Sequence, residues 1–274
     1  MQNKLLVRSH TFHIVDPSPW PFLISMLVGI PLPIGAVMFM HGQTFGIYLL
    51  IASFFALILF LSLWWYDVIL EGTFQGKHTK LVQNGLRLGF VLFIVSEIMF
   101  FVSFFWAFFH SSLAPAVQIG SIWPPLGIAV FDPFGIPLAN TFILLTSGIT
   151  ITAAHHNILN QGCESKAIKA TIVTIILAIA FTCFQVFEYV ESEFVISDGI
   201  YSSVFFMATG FHGFHVLVGT IFLIVTLFRL FKGHFSVSHH IGFEASAWYW
   251  HFVDVVWLFL FVVVYWWGGY LYYC

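Results

Sequence analysis

Apolar residues along this chain neither alternate with polar ones nor fall on one side of a helical period; they come in unbroken blocks. The stretch FVLFIVSEIMFFVSFFWAFF at 90–109 is apolar on every side of a helix. A water-facing helix would show polar residues along one face, and a transmembrane barrel strand would alternate over about 10 residues. Seven such blocks run over residues 20–41, 45–66, 86–110, 138–160, 168–190, 200–228 and 247–271. Each is long enough to cross about 30 Å of hydrocarbon at 1.5 Å rise per residue, which takes roughly 20 residues. The pattern predicts an all-α polytopic membrane protein with seven transmembrane helices, organised as a single membrane domain over 1–274. No repeat of 20–50 residues is visible, so a solenoid or an inverted-repeat transporter gains no support.

The block ends carry interfacial marks. Pro17, Pro19 and Pro21 flank Trp20 at the first entry, and Trp64, Trp65, Trp248, Trp250, Trp266 and Trp267 stand where aromatic belts are expected. Pro31 and Pro33 predict a kink in the first span.

Composition closes off the soluble alternative. The 274 residues are 60% hydrophobic, 20% aromatic and 8% charged, with a mean hydropathy of +0.96, whereas soluble domains are about 25% charged. A formal net charge of -3 offers nothing to nucleic acid. Cys163, Cys183 and Cys274 are widely separated and odd in number, so neither a disulfide framework nor a zinc knuckle is signalled. The first 22 residues show neither a secretory h-region nor a transit helix, and this predicts insertion from the side of synthesis, in a bacterium or from an organelle's own genome.

Charge placement sets an expected topology. Lys4 and Arg8 precede the first span; Lys77, Lys80 and Arg87 separate the second and third; Lys166 and Lys169 separate the fourth and fifth; Arg229 and Lys232 separate the sixth and seventh. With seven spans all nine basic residues fall on one side, and the other side carries Asp132, Glu188, Glu191, Glu193 and Asp198. The positive-inside rule then puts the N-terminus on the cytoplasmic or matrix side and the C-terminus opposite. The outer acidic run is readable either as a solvated surface or as a dock for a basic partner.

The 13 histidines invite a haem or metal reading. Depth argues against it. Only His212 and His215 lie near the midplane, three apart on one helix, and no second helix offers a histidine at that depth; no metal site and no cofactor are expected on this chain. Histidines near the inner face, His10 and His13 among them, are readable as packed interfacial side chains or as proton-collecting groups, since imidazole titrates near pH 6.5.

Glu97 lies about 16 Å along its helix from Leu86, near the bilayer centre. A carboxyl there must be protonated, paired or wetted. Two arrangements remain open: a Glu97–histidine contact with His212 or His215, or a protonated carboxyl bonded to Ser96 or a neighbouring helix. The segments DVILEGTFQGKHTKLVQNGLR and FRLFKGHF mix cations with aromatics at the inner face, a chemistry that attracts phospholipid head groups.

Several longer words are more specific. DPSPWP (16–21), WWYDVILEGTFQGKHT (64–79), SEIMFFVSFFWAFFHSSLAP (96–115), ATGFHGFHVLVGT (208–220) and HHIGFEASAWYWHFVDVVWLFLFVVVYWWG (239–268) together resemble the cytochrome c oxidase subunit III family over almost the whole chain. The resemblance implies seven helices, the first two splayed from a five-helix bundle to make a cleft that holds phospholipids. It implies no catalytic centre on this chain, with haem a and copper in partner subunits I and II, where electrons from cytochrome c reduce oxygen while protons are pumped. This chain would stabilise subunit I, hold lipid and sustain proton uptake, in the mitochondrial inner membrane, beside accessory subunits.

The family's lipid contacts carry over onto Trp65, Glu71, His78 and Arg87, and further onto Arg229, Lys232 and His234. Its membrane-buried carboxylate matches Glu97, and its inner-face histidines match His10 and His13. Tyr66 and Leu70 stand where the family has arginines, and Lys77 where it has the first histidine of His-His-Thr, so phosphate contacts in the cleft are expected to be rearranged. The rivals are subunit III of a quinol oxidase, which lacks the first two helices in this form, and a stand-alone proton-coupled transporter built around Glu97. A retinal protein would need a lysine in the last span, which has none.

Overall fold

In the computed structural model residues 11–160 and 164–270 are described, and Lys4, Arg8, His10, Cys163 and Cys274 lie outside them. Among the described residues the chain is helical with no strand, and seven helices are long and apolar enough to cross a membrane. The first span is two helices, α1 (Trp20–Gly29) and α2 (Pro31–Met40). The break falls on Ile30, at φ -123° and ψ -78°, one residue before the proline, because a proline ring disfavours helical geometry in the residue preceding it. The others are α3 (Thr44–Thr73), α4 (Lys80–Leu113), α5 (Ile136–Leu159), α6 (Glu164–Val190), α7 (Ile200–Phe231) and α8 (Ile241–Leu260). From α8 the chain runs through a π-helical stretch, Phe261–Trp267, into a last turn, α9 (Gly268–Tyr270).

All seven expected spans are present, and most of their helices outrun the apolar blocks. The second continues to Thr73 rather than 66, the third starts at Lys80 rather than 86, and the last starts at Ile241 rather than 247. Hydrocarbon sets a minimum length, and a helix whose backbone bonds are already closed has no reason to stop where head groups begin.

Two compact units divide the chain, Met1–Leu86 and Arg87–Cys274. In the first, α1 and α2 both pack on α3. Between lipid-facing helices there is little hydrophobic driving force, so close backbone approach through small residues supplies the packing. Gly35 of α2 and Gly46 of α3 are both buried, and a Cβ on Gly35 would sit 2.8 Å from the backbone nitrogen of Leu50. The Trp20 indole donates to Asp67 at 2.6 Å, tying α1 to α3.

In the second unit the main pairings are α5 with α6, α6 with α7, α7 with α8 and α5 with α8. The core is aromatic: Trp250, Trp257, Phe181, Phe205 and Tyr265 are almost fully buried, and Phe181 meets Trp257 edge-on at 4.8 Å between centroids. Several of its polar members pair across helices. The Trp250 and Trp257 indoles donate to Ser147 at 2.8 Å and Thr141 at 3.0 Å, and the Thr150 and Thr174 hydroxyls meet at 2.7 Å. These are the contacts by which small polar residues join membrane helices.

Candidate functional site

An ionisable pair joins the middles of α4 and α7. Glu97 Oε2 lies 2.7 Å from His215 Nε2, with side chains 23% and 8% exposed. The other ring nitrogen, Nδ1, is 2.7 Å from the carbonyl oxygen of Phe211, one turn earlier in α7. A carbonyl only accepts, so Nδ1 carries a proton. A single further proton then lies between Nε2 and the carboxyl, and the pair is neutral as a whole wherever that proton rests. Phe100 and Phe101 of α4, Phe214 of α7 and Tyr249 and Phe252 of α8 surround the imidazole. His212 points elsewhere, its Nε2 donating to the Val253 carbonyl at 3.2 Å under Trp257. Sequence alone left both histidines open as partners of Glu97; the rotation of α7 selects His215. The bond from the Ser96 hydroxyl goes to the Phe93 carbonyl, not to Glu97.

The lipid-contact residues divide between the two units. In the first, Trp65 is exposed on α3 at 62%. Glu71, in the last turn of α3, and His78, in the link to α4, come together with His13 from the irregular segment before α1. In the second, Arg87 Nε donates to Glu244 Oε2 at 2.9 Å, across 157 residues of sequence. The Arg229 guanidinium lies over the Phe235 ring at 4.4 Å from its centroid, and Gly242 leaves the room for it, since a Cβ there would run into Nη1. Lys232 is exposed at the end of α7. Partial burial, with the charges of Arg229 and Lys232 nearby, holds the His234 imidazole below its ordinary value.

Three polar features had no signal in the sequence. Asp16 is tied to Lys77 at 2.5 Å, and this ammonium holds its carboxyl below the usual range. Asp254 is buried on α8 with His251 Nδ1 3.7 Å away. Glu188, expected on the acidic outer surface, is only 1% exposed, because the rotation of α6 turns it into the bundle while Glu191 and Glu193 stay outside the helix.

Comparison with known proteins follows the same outline. The family model described as cytochrome c oxidase subunit III matches residues 10–269. The chain is 60% identical to a protein named cytochrome c oxidase subunit 3 from Marchantia polymorpha, over 96% of this chain and 98% of that one. It is 58% identical to the Arabidopsis thaliana protein of that name, over 96% and 98%. To the one from the sea urchin Paracentrotus lividus it is 54% identical, over 97% and 100%.

Proposed function

The chain belongs to the cytochrome c oxidase subunit III family, and from that premise we propose that it serves the oxidase from beside the redox chemistry, as a helical companion that holds lipid and sustains proton uptake. It is a multi-pass membrane subunit of an oxidoreductase complex made with other oxidase subunits. The finer reading rests on how its ionisable groups are spent.

The observation that carries it is the closure of the midplane pair. His215 uses both ring nitrogens on protein partners, Phe211 and Glu97, and His212 gives Nε2 to Val253. An axial haem ligand keeps one nitrogen for iron and a second residue on the opposite side. His215 keeps no nitrogen for iron, which favours haem a and copper being held by the partner subunits I and II. Lipid contact draws support from cations in the link after α3, in the N-terminal part of α4 and at the C-terminal end of α7: each Lys or Arg near an anionic head group contributes about 1 kcal/mol. Arg87 and Arg229 are held by Glu244 and Phe235, so their positions are fixed before a phosphate arrives. Trp65, Glu71, His78, Lys232 and His234 complete that reading, with His10 and His13 as groups able to gather protons. The charge bias favours the N-terminus on the matrix side of the mitochondrial inner membrane.

The test is selective removal. The oxidase freed of this chain should keep its haem a and copper and its first turnovers, while proton uptake slows and bound phospholipid falls. Iron or copper leaving with the removed chain would overturn the reading.

A further inference from the structure

We propose that His13, Glu71 and His78 form a binding site for a divalent transition-metal ion of the zinc type. One ligand atom from each residue lies within 4.8 Å of the others. A tetrahedral zinc with bonds of about 2.0–2.1 Å holds its ligands roughly 3.4 Å apart. The present closest approach of His13 Nε2 to Glu71 Oε2 is 3.9 Å, so capture needs a contraction within reach of side-chain rotation. Two imidazoles and one carboxylate suit zinc, and suit hard magnesium or soft monovalent copper poorly. Three protein ligands leave a fourth position for water or another oxygen donor.

An independent observation points the same way. The His13 side chain is only 10% exposed, yet its Nε2 is buried without a hydrogen-bond partner and faces the Glu71 carboxylate beyond bonding distance. A buried nitrogen left so has given up its hydrogen bond to water without a replacement. A cation between the two groups would relieve both.

The surroundings are built to hold the three together. Gly72, next to Glu71, carries no side chain, and the His78 ring fills that space: a Cβ would be 2.7 Å from Nδ1. Gln83 Nε2 donates to the His78 carbonyl at 3.0 Å. On either side of the histidines the two segments are laced, Lys77 to Asp16 at 2.5 Å and the Thr79 hydroxyl to the Thr11 carbonyl at 2.6 Å. Lys77, next to His78 in sequence, is thereby neutralised by Asp16. Such outer contacts orient ligands before the metal binds.

The site shares Glu71 and His78 with the lipid reading, and its test uses zinc alone. The purified oxidase complex, stripped with chelator, is dialysed to equilibrium against radioactive Zn²⁺, alongside complexes carrying His13→Gln, Glu71→Gln or His78→Gln. The expected result is one more high-affinity Zn²⁺ in the unaltered complex, with affinity at that site falling about 10-fold or more in each variant. Identical isotherms would overturn the proposal. A second measurement needs no variant: carbethoxylation of His13 and His78 in the intact complex, read by peptide mass spectrometry. Micromolar Zn²⁺ should slow both about 10-fold and leave the exposed His41 unchanged, while Mg²⁺ protects neither. Equal rates with and without Zn²⁺, or equal protection by Mg²⁺, would overturn it.

Discussion

Glu97 Oε2 and His215 Nε2 meet at 2.7 Å near the centre of the membrane-spanning bundle, and because Nδ1 of the same ring is committed to the Phe211 carbonyl, the contact exists only with one proton between carboxyl and imidazole. The pair therefore places two ionisable groups at the depth where isolated charge is most costly without leaving a net charge there. Glu97→Gln should be tolerated, since an amide N–H donates to Nε2 in place of the carboxyl. Glu97→Ala strands a buried nitrogen and should cost about 1–3 kcal/mol. Thermal inactivation of the assembled complex separates them: a midpoint lowered only in the alanine variant is expected, and equal losses in both would show that the carboxylate charge itself is needed.

Gly35 and Gly46 predict a packing failure confined to the first unit. An alanine Cβ at 35 would be 2.8 Å from the Leu50 backbone nitrogen, and backbone cannot swing aside as a side-chain tip can. Gly35→Ala should force α2 off α3 at a cost of about 1–3 kcal/mol. Gly85→Ala, whose Cβ meets nothing within 4 Å, is the control. Retention of this chain in the complex during mild detergent challenge is the readout; equal retention of the two variants would contradict the close approach.

The spans were legible because hydrocarbon imposes a length and a composition, and nothing in the tertiary structure overrides either. Their ends were less so: Leu70–Thr73 and Ile241–Ser246 lie where polar residues are allowed but not required to break a helix. The depth of Glu97 followed from counting residues. The choice of His215 over His212 did not, since spacing along α7 says nothing of its rotation against α4. Glu188 shows the same limit from the other side, reading as part of an acidic surface run yet turned inward by α6. The resemblance marked Glu71 and His78 through words of sequence, but their meeting with His13 joins segments 58 residues apart, and no local pattern encodes it.

Lys77 stands beside His78, and its tie to Asp16 gives a pH signature. The Lys77 hydrogen bond and charge lower the Asp16 carboxyl from its ordinary value of 3.8. A depressed acid contributes its stability above the unfolded value and loses it as pH falls through the folded one. The tie is therefore present at neutral pH and persists through mild acid, down to the ordinary value and below it. Asp16 is fully open to water, so salt should weaken the contact. Hydrogen exchange over residues 11–19 of the complex is expected to rise in Lys77→Gln at pH 7, and in the unaltered chain only in strong acid or high salt. A rise beginning near pH 6.5 in the unaltered chain would assign the restraint to a histidine instead.

Ser147 and Trp250 offer a test of how much a polar contact contributes inside this bundle. Both are 0% exposed. The Ser147 hydroxyl accepts from the Trp250 indole at 2.8 Å and donates to the Leu144 carbonyl at 2.6 Å, so its donor is spent and its acceptor is aimed across from α5 to α8. Gly219 of α7 backs the same indole, with a Cβ position 3.0 Å from Cε3, leaving the ring no room to turn toward another acceptor. Ser147→Ala thus strands the N–H, while Trp250→Phe removes it together with packing volume. Polar contacts between membrane helices average about 0.6 kcal/mol and reach about 1.7; full burial and a fixed indole put this one at the upper end. A double-mutant cycle on thermal inactivation of the complex should therefore return a coupling of about 1–2 kcal/mol, with Ser147→Ala costing little once Trp250 is phenylalanine. A coupling near zero would mean that the indole finds another acceptor when Ser147 is gone.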